Sequence, residues 1–354
     1  MHPETTFSRI SIVICAGVYF ALFQELGKIE ETRDGFNPHL YTDYDTSPAS
    51  KDYIGKGTFG TVYKARLEDQ SQASEFQPFE VAMKVVRLSQ ETIVEKYQKR
   101  ELEFQEKRLL GHPNIICYFA FVNFIQTKTH CVFMELCEQT LAQKIEQGHE
   151  MPDDKRDFIK HVALGICSGV NHLHTNGIIH RDINPDNILL KDEDTTSRFP
   201  TVKVADFNVY TDHDVEQKTT MAHTVNIGTF HYMAKEVRQM LTEEKTVYGC
   251  PADVWSIGTV VYETATGRKF NELTSAQLSK EILFPCDVKL SIDIKEERLR
   301  LFLSRCLQWD PAKRERCSEL LTCEFLNSRV KESCRVSSKS EVQTPESARR
   351  KKMS

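Results

Sequence analysis

The sequence lacks the features that define several common classes of protein. Its formal net charge is −5, so it has no excess of basic residues of the kind that binds nucleic acid in bulk. Its 11 cysteines show neither paired metal-binding spacing nor a regular disulfide framework, and their odd number leaves at least one unpaired. Reduced thiols in the cytosol are therefore the favoured interpretation.

The apolar run at residues 10–23 contains no charge, but it is short for a membrane span. It has about fourteen residues, whereas a spanning helix needs roughly twenty, and this length suits the apolar part of a signal peptide. Residues 15–17, Cys-Ala-Gly, make a poor cleavage site because they lie within the run. Three interpretations stay open: a signal or short membrane anchor, an apolar helix packed on the domain, and an extension without a structural role. We expect a cytoplasmic protein, with a membrane tether through residues 10–23 as the alternative.

The chain is long enough for one large domain or for two lobes with tails. Its 354 residues include 40% hydrophobic residues, which is sufficient for a folded core. Residues 24–50 are rich in Glu, Asp, Thr, Ser and Pro, which predicts a linker. Residues 327–354 are rich in Ser, Lys and Arg and are expected to be a disordered basic tail. Residues 349–352, Arg-Arg-Lys-Lys, fit either a nuclear address or an ordinary solvated end.

A glycine cluster between two strand patterns predicts a turn that an anion can approach closely. Residues 53–54 are expected to be the first ordered element, and Gly55, Gly57 and Gly60 follow them. Glycines leave the backbone amides of such a turn uncovered. Residues 61–63 continue as a strand and not as a helix, which disfavours a dinucleotide-binding fold.

Acidic and amide side chains are concentrated at residues 180–187, His-Arg-Asp-Ile-Asn-Pro-Asp-Asn. A long helical pattern precedes this stretch and a short apolar run follows it, so we expect a loop. Asp182 and Asn187 lie five residues apart in that loop. Further on, residues 202–205 have a short strand pattern that ends at Asp206.

Together these motifs resemble those of the eukaryotic-type protein kinase family. The similarity covers residues 51–326, and Gly228-Thr229 resembles the serine/threonine-specific branch. It implies an α+β, two-lobed protein kinase fold. A small antiparallel β-sheet lobe with one helix would occupy about residues 51–136, and a larger, mainly α-helical lobe about residues 137–326. The implied function is transfer of the gamma-phosphoryl group of ATP, with Mg²⁺, to serine or threonine hydroxyls of proteins.

The resemblance also implies roles for individual residues. Asp182 would accept or orient the substrate hydroxyl proton, and Asn187 with Asp206 would bind magnesium. Lys84 would hold the nucleotide phosphates, although a lysine in an apolar strand is ordinarily a solvated side chain. The full set of implied ATP-binding residues is Ile54, Gly55, Lys56, Gly57, Thr58, Phe59, Gly60, Val62, Ala82, Lys84, Glu103, Met134, Glu135 and Cys137.

Residues 131–137 have a buried-strand pattern that leads into a loop. By resemblance, the backbone carbonyl of Glu135 and the amide of Cys137 would bind the purine edge. Met134 would guard the back of the adenine pocket, or it fills the core like any methionine.

The helix predicted at residues 93–110 would supply a glutamate that pairs with Lys84. Counting without gaps selects Glu103 as this partner. Glu101 and Glu106 fit the local apolar pattern better, so the assignment stays open among the three.

Four residues outside the reacting groups would support the site by resemblance. Asp253 would receive backbone amides of the loop at residues 180–187. Glu236 would form a buried ion pair with Arg314, and breaking such a pair is costly. Arg181 would face a phosphate in the activation segment, for which Thr219, Thr220 and Thr224 are candidate phosphorylation sites. The alternative is a solvated threonine loop without a switch.

Three residues depart from the kinase pattern. Asn184 stands where serine/threonine kinases usually have a lysine, and a neutral amide cannot offset charge in the transition state. Asn208 replaces a glycine and Lys235 replaces a proline. Asn184 therefore predicts weaker catalysis if no other group replaces the missing charge. The alternative function, which rests on Asn184 and Asn208, is a weakly active or inactive kinase-like domain that acts as a nucleotide-binding scaffold. Expected partners are a protein substrate with Ser or Thr and an upstream activating kinase, with no nucleic acid.

Overall fold

The computed structural model describes residues 10–13, 39–43, 52–57, 60–69, 79–87, 111–124, 129–148, 155–192, 197–206, 230–240, 249–270 and 293–328. They form an antiparallel sheet lobe followed by a mainly helical lobe, which is the predicted α+β, two-lobed architecture. The helix predicted at residues 93–110 lies outside the described residues, as does the predicted tail beyond residue 328.

The small lobe is built on a single antiparallel sheet. Its strands are β1 (Ile10–Val13), β2 (His39–Asp43), β3 (Tyr53–Gly57), β4 (Gly60–Asp69), β5 (Phe79–Arg87), β6 (Tyr118–Phe124) and β7 (Thr129–Glu135). The order is β1-β2-β4-β5-β7-β6, and β3 also pairs with β4. Because side chains alternate between faces, Val81 and Met83 are fully buried on one face of β5, while Ala82 and Lys84 lie on the other.

Two strands share the outer edge of β4. The short strand β3 pairs with its first part, from Tyr53 opposite Tyr63 to Gly57 opposite Gly60, with a register shift between Tyr53 and Gly55. The strand β2 pairs with its last part, residues 66–69. The edge of β4 is thus covered in two independent segments.

The N-terminal strands correct two expectations. Residues 39–43 belong to the sheet, so the linker prediction for residues 24–50 is wrong there, and residues 53–54 are not the first ordered element. The reason is tertiary, because β2 satisfies edge amides and carbonyls of β4 that no local pattern reveals. Residues 10–13 form a strand against β2, which rules out a packed helix for these four residues. Within the described ranges, no helix has the length and apolar character needed to cross a membrane.

The helical lobe surrounds one buried helix. The described helices are α1 (Leu141–Glu146), α2 (Lys155–Thr175), α3 (Lys235–Met240), α4 (Cys250–Thr266), α5 (Glu297–Cys306), α6 (Cys317–Leu320) and α7 (Glu324–Asn327). Helix α4 is apolar on most of its circumference, and Trp255 and Tyr262 are buried in it. Pro251 lies in its first turn, and Gly267, at a φ of 71°, ends it with an amide bonded to the Glu263 carbonyl.

A second, three-stranded sheet lies between the lobes. It consists of β8 (Gln139–Thr140), β9 (Ile188–Lys191) and β10 (Thr201–Val204), with β9 in the centre. The Ile116 amide donates to the Val204 carbonyl at 3.0 Å, and the Val204 amide donates to the Asn114 carbonyl at 2.9 Å. The strand that leads to Asp206 is therefore fixed to the segment that enters the small-lobe sheet.

The eight cysteines among the described residues are free thiols. Burial raises the pKa of Cys131 to about 12 and raises the pKa of Cys167 well above its ordinary value. Such thiols stay protonated and unreactive at neutral pH. This state agrees with the sequence expectation of reduced cysteines.

Helix α2 approaches β10 closely because Gly169 has no side chain. A β-carbon at Gly169 would lie 2.5 Å from the Asn114 carbonyl oxygen and 3.0 Å from a Val204 methyl carbon. The neighbouring atom is backbone and cannot move aside without disturbing β10.

We predict that Gly169→Ala lowers the free energy of unfolding by about 1–3 kcal/mol, because overpacking forces the backbone apart. Helix propensity alone would give the opposite sign, a gain of about 1 kcal/mol. Chemical denaturation measures the difference. An unchanged or increased free energy of unfolding would contradict the close approach.

Candidate active site

A buried carboxylate from helix α4 holds the loop at residues 180–187. Asp253 is fully buried. Its Oδ2 accepts hydrogen bonds from the His180 amide at 2.8 Å and from His174 Nε2 at 2.9 Å, and its Oδ1 accepts from the Arg181 amide at 2.9 Å. Arg181 has a φ of 71°, a conformation that a non-glycine residue adopts only when its surroundings impose it. Asp253 therefore fixes an otherwise unfavourable turn.

Burial and the hydrogen bonds around Asp253 determine the protonation states of His174 and His180. Burial disfavours the charged form of His174, but its hydrogen bond with Asp253 outweighs this and raises the pKa of His174 overall. The same bond keeps the pKa of Asp253 below its ordinary value despite burial. Burial lowers the pKa of His180, which fits its neutral role of accepting the Asp182 amide at Nδ1 and donating from Nε2 to the Ala205 carbonyl. Asp253 and His174 thus form an ion pair beside a neutral histidine.

Two asparagine amides hold the Asp182 carboxylate. Asn184 Nδ2 donates to Asp182 Oδ1 at 2.9 Å, and Asn187 Nδ2 donates to Asp182 Oδ2 at 2.9 Å. Burial and the nearby Asp206 carboxylate raise the pKa of Asp182 to about 7, although both asparagines and Lys84 act in the other direction. The carboxylate is oriented by neutral donors and titrates near physiological pH.

Asn184 also caps the turn that follows it. Its Oδ1 accepts from the amides of Asp186 at 3.0 Å and Asn187 at 3.2 Å, at the start of the 3₁₀ turn Pro185–Asn187. A lysine has no acceptor and could not make these bonds. Asn184, which departs from the kinase pattern, therefore has a structural role in this loop. Its side chain donates to Asp182 and accepts from the amides of the next turn.

Lys84 and Asp206 form the second polar group of the site. Lys84 Nζ lies 2.6 Å from Asp206 Oδ2, with Lys84 12% exposed and Asp206 38% exposed. Asp206 has a φ of 60°, and its amide donates to the Tyr118 hydroxyl at 3.1 Å. The strand lysine and the aspartate after β10 are thus brought together, a contact that the sequence did not predict. The candidate partners of Lys84, Glu101, Glu103 and Glu106, lie outside the described residues.

One face of the small-lobe sheet lies over this polar group. Opposite residues of neighbouring strands share a face, and Val62 lies opposite Lys84, while Ala82 lies opposite Met134. Gly60 touches β5, since a β-carbon there would lie 2.4 Å from the Val85 carbonyl oxygen. These contacts form an apolar surface that ends at the glycine turn. The implied nucleotide-binding residues that fall outside the described part are Thr58, Phe59 and Glu103.

The segment between the lobes begins at Glu135, the last residue of β7. Its amide donates to the Cys117 carbonyl at 2.9 Å, and Met134 beside it is buried. The Glu135 side chain is also buried, against two lysines, which the sequence did not predict. Nor did the sequence identify Tyr118 as a partner of the Asp206 amide. The contacts of Glu135 with the lysines and of Tyr118 with Asp206 join residues far apart in the chain. In the sequence, the only indication of them is a polar residue at the end of a strand that is predicted to be buried.

The predicted ion pair between Glu236 and Arg314 is present. Arg314 Nη1 and Nη2 donate to the two Glu236 oxygens at 2.6 and 2.9 Å, and its guanidinium lies 5.1 Å from the centre of the Trp255 ring. Lys235, in the place of the usual proline, has its ammonium group 5.9 Å from the centre of the Trp309 ring. The end of the activation segment is thus anchored to the helical lobe.

The site contains oxygen atoms that could bind a magnesium ion. Asn187 uses Nδ2 on Asp182, so its carbonyl Oδ1 is the atom that it can offer to a cation, and Asp206 offers carboxylate oxygens. Magnesium prefers such oxygen ligands. The effect of Asp206 on the pKa of Asp182 places two carboxylates near one another, an arrangement that a cation would stabilise. Among the described residues, no group of three or more His, Cys, Asp or Glu side chains is arranged to hold a metal alone.

Several predicted features fall outside the described residues and stay predictions. They are Asn208, the Gly228-Thr229 pair, the basic cluster at residues 349–352 and the candidate phosphorylation sites Thr219, Thr220 and Thr224. Arg181, which would face a phosphate there, is placed by its amide bond to Asp253.

Comparison with known proteins agrees with this arrangement. Residues 49–326 match the protein kinase domain family. The chain belongs to the protein kinase family. The match includes both lobes and every polar group of the site described above.

Relatives come from several kinds of kinase. Mitogen-activated protein kinase kinase kinase 1a of Physcomitrium patens is 33% identical, over 78% of this chain and 33% of its own length. Serine/threonine-protein kinase 36 of Mus musculus is 30% identical, over 78% of this chain and 19% of its own. Calcium/calmodulin-dependent protein kinase type I of Schizosaccharomyces pombe is 28% identical, over 77% of this chain and 76% of its own. The chain thus spans a third or less of the first two relatives.

We predict that Asp253→Asn lowers the free energy of unfolding by about 3–5 kcal/mol, because it leaves the buried His174 cation without its partner. Denaturation followed by fluorescence measures this loss, and NMR titration should find a lower pKa for His174. The control is Arg298→Gln, which breaks an exposed ion pair with Glu324 and should cost less than about 1 kcal/mol. Equal losses in the two variants would contradict the anchoring role of Asp253.

Proposed function

We propose that this protein is a serine/threonine kinase that transfers the gamma-phosphoryl group of ATP to hydroxyls of a protein substrate. The observation that carries this proposal is the Asp182 carboxylate, held by two amides near the Lys84–Asp206 pair. Phosphoryl transfer requires a proton acceptor, a positive charge that binds the phosphates and a carboxylate that binds a metal ion. Asp182, Lys84 and Asp206 would be these three groups.

Each residue has a defined task in this reaction. Asp182 orients the substrate hydroxyl and accepts its proton, and a pKa near 7 suits a group that must both take up and release a proton at neutral pH. Lys84 provides the ammonium group that holds the nucleotide phosphates. Asp206 and Asn187 would hold a magnesium ion, which would supply positive charge to the phosphates.

Specificity for serine and threonine is supported by Gly228-Thr229 and by the name of the Mus musculus relative. Arg181 would face a phosphate in the activation segment. The proposal therefore includes an upstream kinase that phosphorylates Thr219, Thr220 or Thr224. The protein substrate itself carries no signature in the chain.

A second candidate function is a nucleotide-binding scaffold with weak or absent catalysis. Asn184 favours it, because the neutral amide cannot stabilise negative charge that develops on the transferred group. The hydrogen bonds of Asn184 favour the enzyme, since they hold Asp182 in a defined orientation. The two functions differ in one measurable property, turnover that depends on Asp182.

We predict that Asp182→Asn lowers phosphate transfer by about 10²–10⁴-fold, because the general base is lost. Transfer of labelled phosphate from ATP to a generic protein substrate measures the rate. Arg298→Gln, which removes an exposed pair with Glu324 in the helical lobe, is the control and should behave as wild type. If wild type and Asp182→Asn give the same background signal, the enzyme proposal is wrong and the scaffold is favoured.

We predict that activity rises with pH through about 7, because Asp182 must be ionised to accept a proton. Asn184→Lys should move this rise to lower pH, since an ammonium group beside Asp182 favours the carboxylate. It should also lower the free energy of unfolding by about 1 kcal/mol, because the cap on the Pro185–Asn187 turn is lost.

The pH dependence of kcat/KM tests this prediction, with denaturation measured in parallel. Arg298→Gln, the control in the helical lobe, should leave the rise at its wild-type pH. A rise that does not move in Asn184→Lys would contradict titration of Asp182 as its cause.

A further inference from the structure

The Glu135 carboxylate is buried among three donors. Its Oε1 accepts from the Cys117 amide at 2.7 Å and lies 3.1 Å from Lys203 Nζ, and its Oε2 lies 2.7 Å from Lys191 Nζ. Glu135 is 4% exposed and Lys203 is 2% exposed. Two lysines therefore converge on one carboxylate in the interior between the lobes.

Stability alone does not explain this cluster. Burying charged groups costs several kcal/mol per ion, and apolar residues of similar volume often stabilise a protein equally well. The position of the cluster is more informative than its energy.

The cluster joins the three parts of the site. Glu135 begins the segment, residues 135–137, that is expected to bind the purine edge. Lys191 ends β9, which follows the loop that carries Asp182, and Lys203 lies in β10, three residues before Asp206. The carboxylate thus connects the purine side of the site to the strand that carries the metal-binding aspartate.

A second connection runs through Cys117. The Glu135 amide donates to the Cys117 carbonyl while the Cys117 amide donates to the Glu135 carboxylate, so the two residues are held by two bonds. The next residue, Tyr118, accepts the Asp206 amide at its hydroxyl. Both the side chain and the backbone of Glu135 therefore lead to Asp206 by short chains of contacts.

We propose that Glu135, through Lys191 and Lys203, is a positioning residue that keeps the purine-binding segment and Asp206 in a fixed relation. This inference rests on the proposed nucleotide-binding function. Its consequence is that a nucleotide carrying magnesium engages both ends of the site at once, without reordering the segment between the lobes. Preorganisation of this kind increases the affinity for a ligand that spans both ends more than for a ligand that touches one end.

The test compares two ligands, adenosine and magnesium-bound ADP, by calorimetry on the full chain. Adenosine reports the purine segment alone, whereas Mg–ADP reports both ends. The variant Glu135→Met with Lys203→Met replaces the pair by apolar side chains of similar volume, which commonly preserves folding. We expect it to reduce the preference for Mg–ADP over adenosine by about tenfold, because the two ends are no longer held together.

Two further variants refine the test. Glu135→Asp keeps the charge on a shorter side chain and should restore part of the preference. Lys191→Met changes a side chain that is 25% exposed and leaves the Lys203 pair in place, so it should fold and lose about threefold of the preference. Arg298→Gln is the control, because its ion pair with Glu324 has a similar distance, 2.8 Å, but joins α5 to α7 in the helical lobe.

The outcomes distinguish failure of the positioning role from failure of the nucleotide-binding function. A preference that is unchanged in the folded double variant and in Lys191→Met would overturn the positioning role, even if both lower the melting temperature. Wild-type protein that binds neither adenosine nor Mg–ADP would overturn the nucleotide-binding function together with this inference. Restoration by Glu135→Asp without restoration of melting temperature would support positioning over a merely structural role.

Discussion

The buried Asp253 carboxylate is the contact on which the catalytic loop depends. It holds two consecutive amides of that loop and an ionised histidine, and it forces Arg181 into a left-handed conformation. Without this acceptor, the loop would lose both its backbone partners and the reason for its turn. The carboxylate comes from α4, the most buried of the described helices, so the loop is attached to the core and not to the surface. The position of the loop at residues 180–187 therefore depends on the packing of α4.

The Asp182 carboxylate has the opposite surroundings. Asp253 is neutralised by a cation, whereas Asp182 is held by the neutral amides of Asn184 and Asn187. Burial and the nearby Asp206 carboxylate raise the pKa of Asp182 to about 7, whereas the hydrogen-bonded His174 cation keeps the pKa of the buried Asp253 below its ordinary value. The lower value suits a permanent anchor and the higher value suits a group that exchanges protons.

Much of this arrangement could be predicted from the sequence, because the motifs carry their own order and spacing. The contacts of Asp253 with the loop amides and the ion pair of Glu236 with Arg314 are present, as the resemblance implies. The strand at residues 39–43 was missed, since its partner is the edge of β4 and its own composition is that of a linker. The cap formed by Asn184 and the lysines around Glu135 were missed for a related reason. Hydrogen bonds to a particular amide, or between lysines on separate strands, leave no periodic pattern.

The shared edge of β4 has a consequence for which part of the sheet can move. Because β2 holds residues 66–69 of β4 and β3 holds only the first part, β3 can separate from the sheet by breaking a short ladder that is already interrupted near Gly55. The rest of the edge stays paired, so opening exposes few amides to the solvent. The strand β3 is thus mechanically separate from the rest of this edge, and its displacement need not disturb the sheet that carries Lys84.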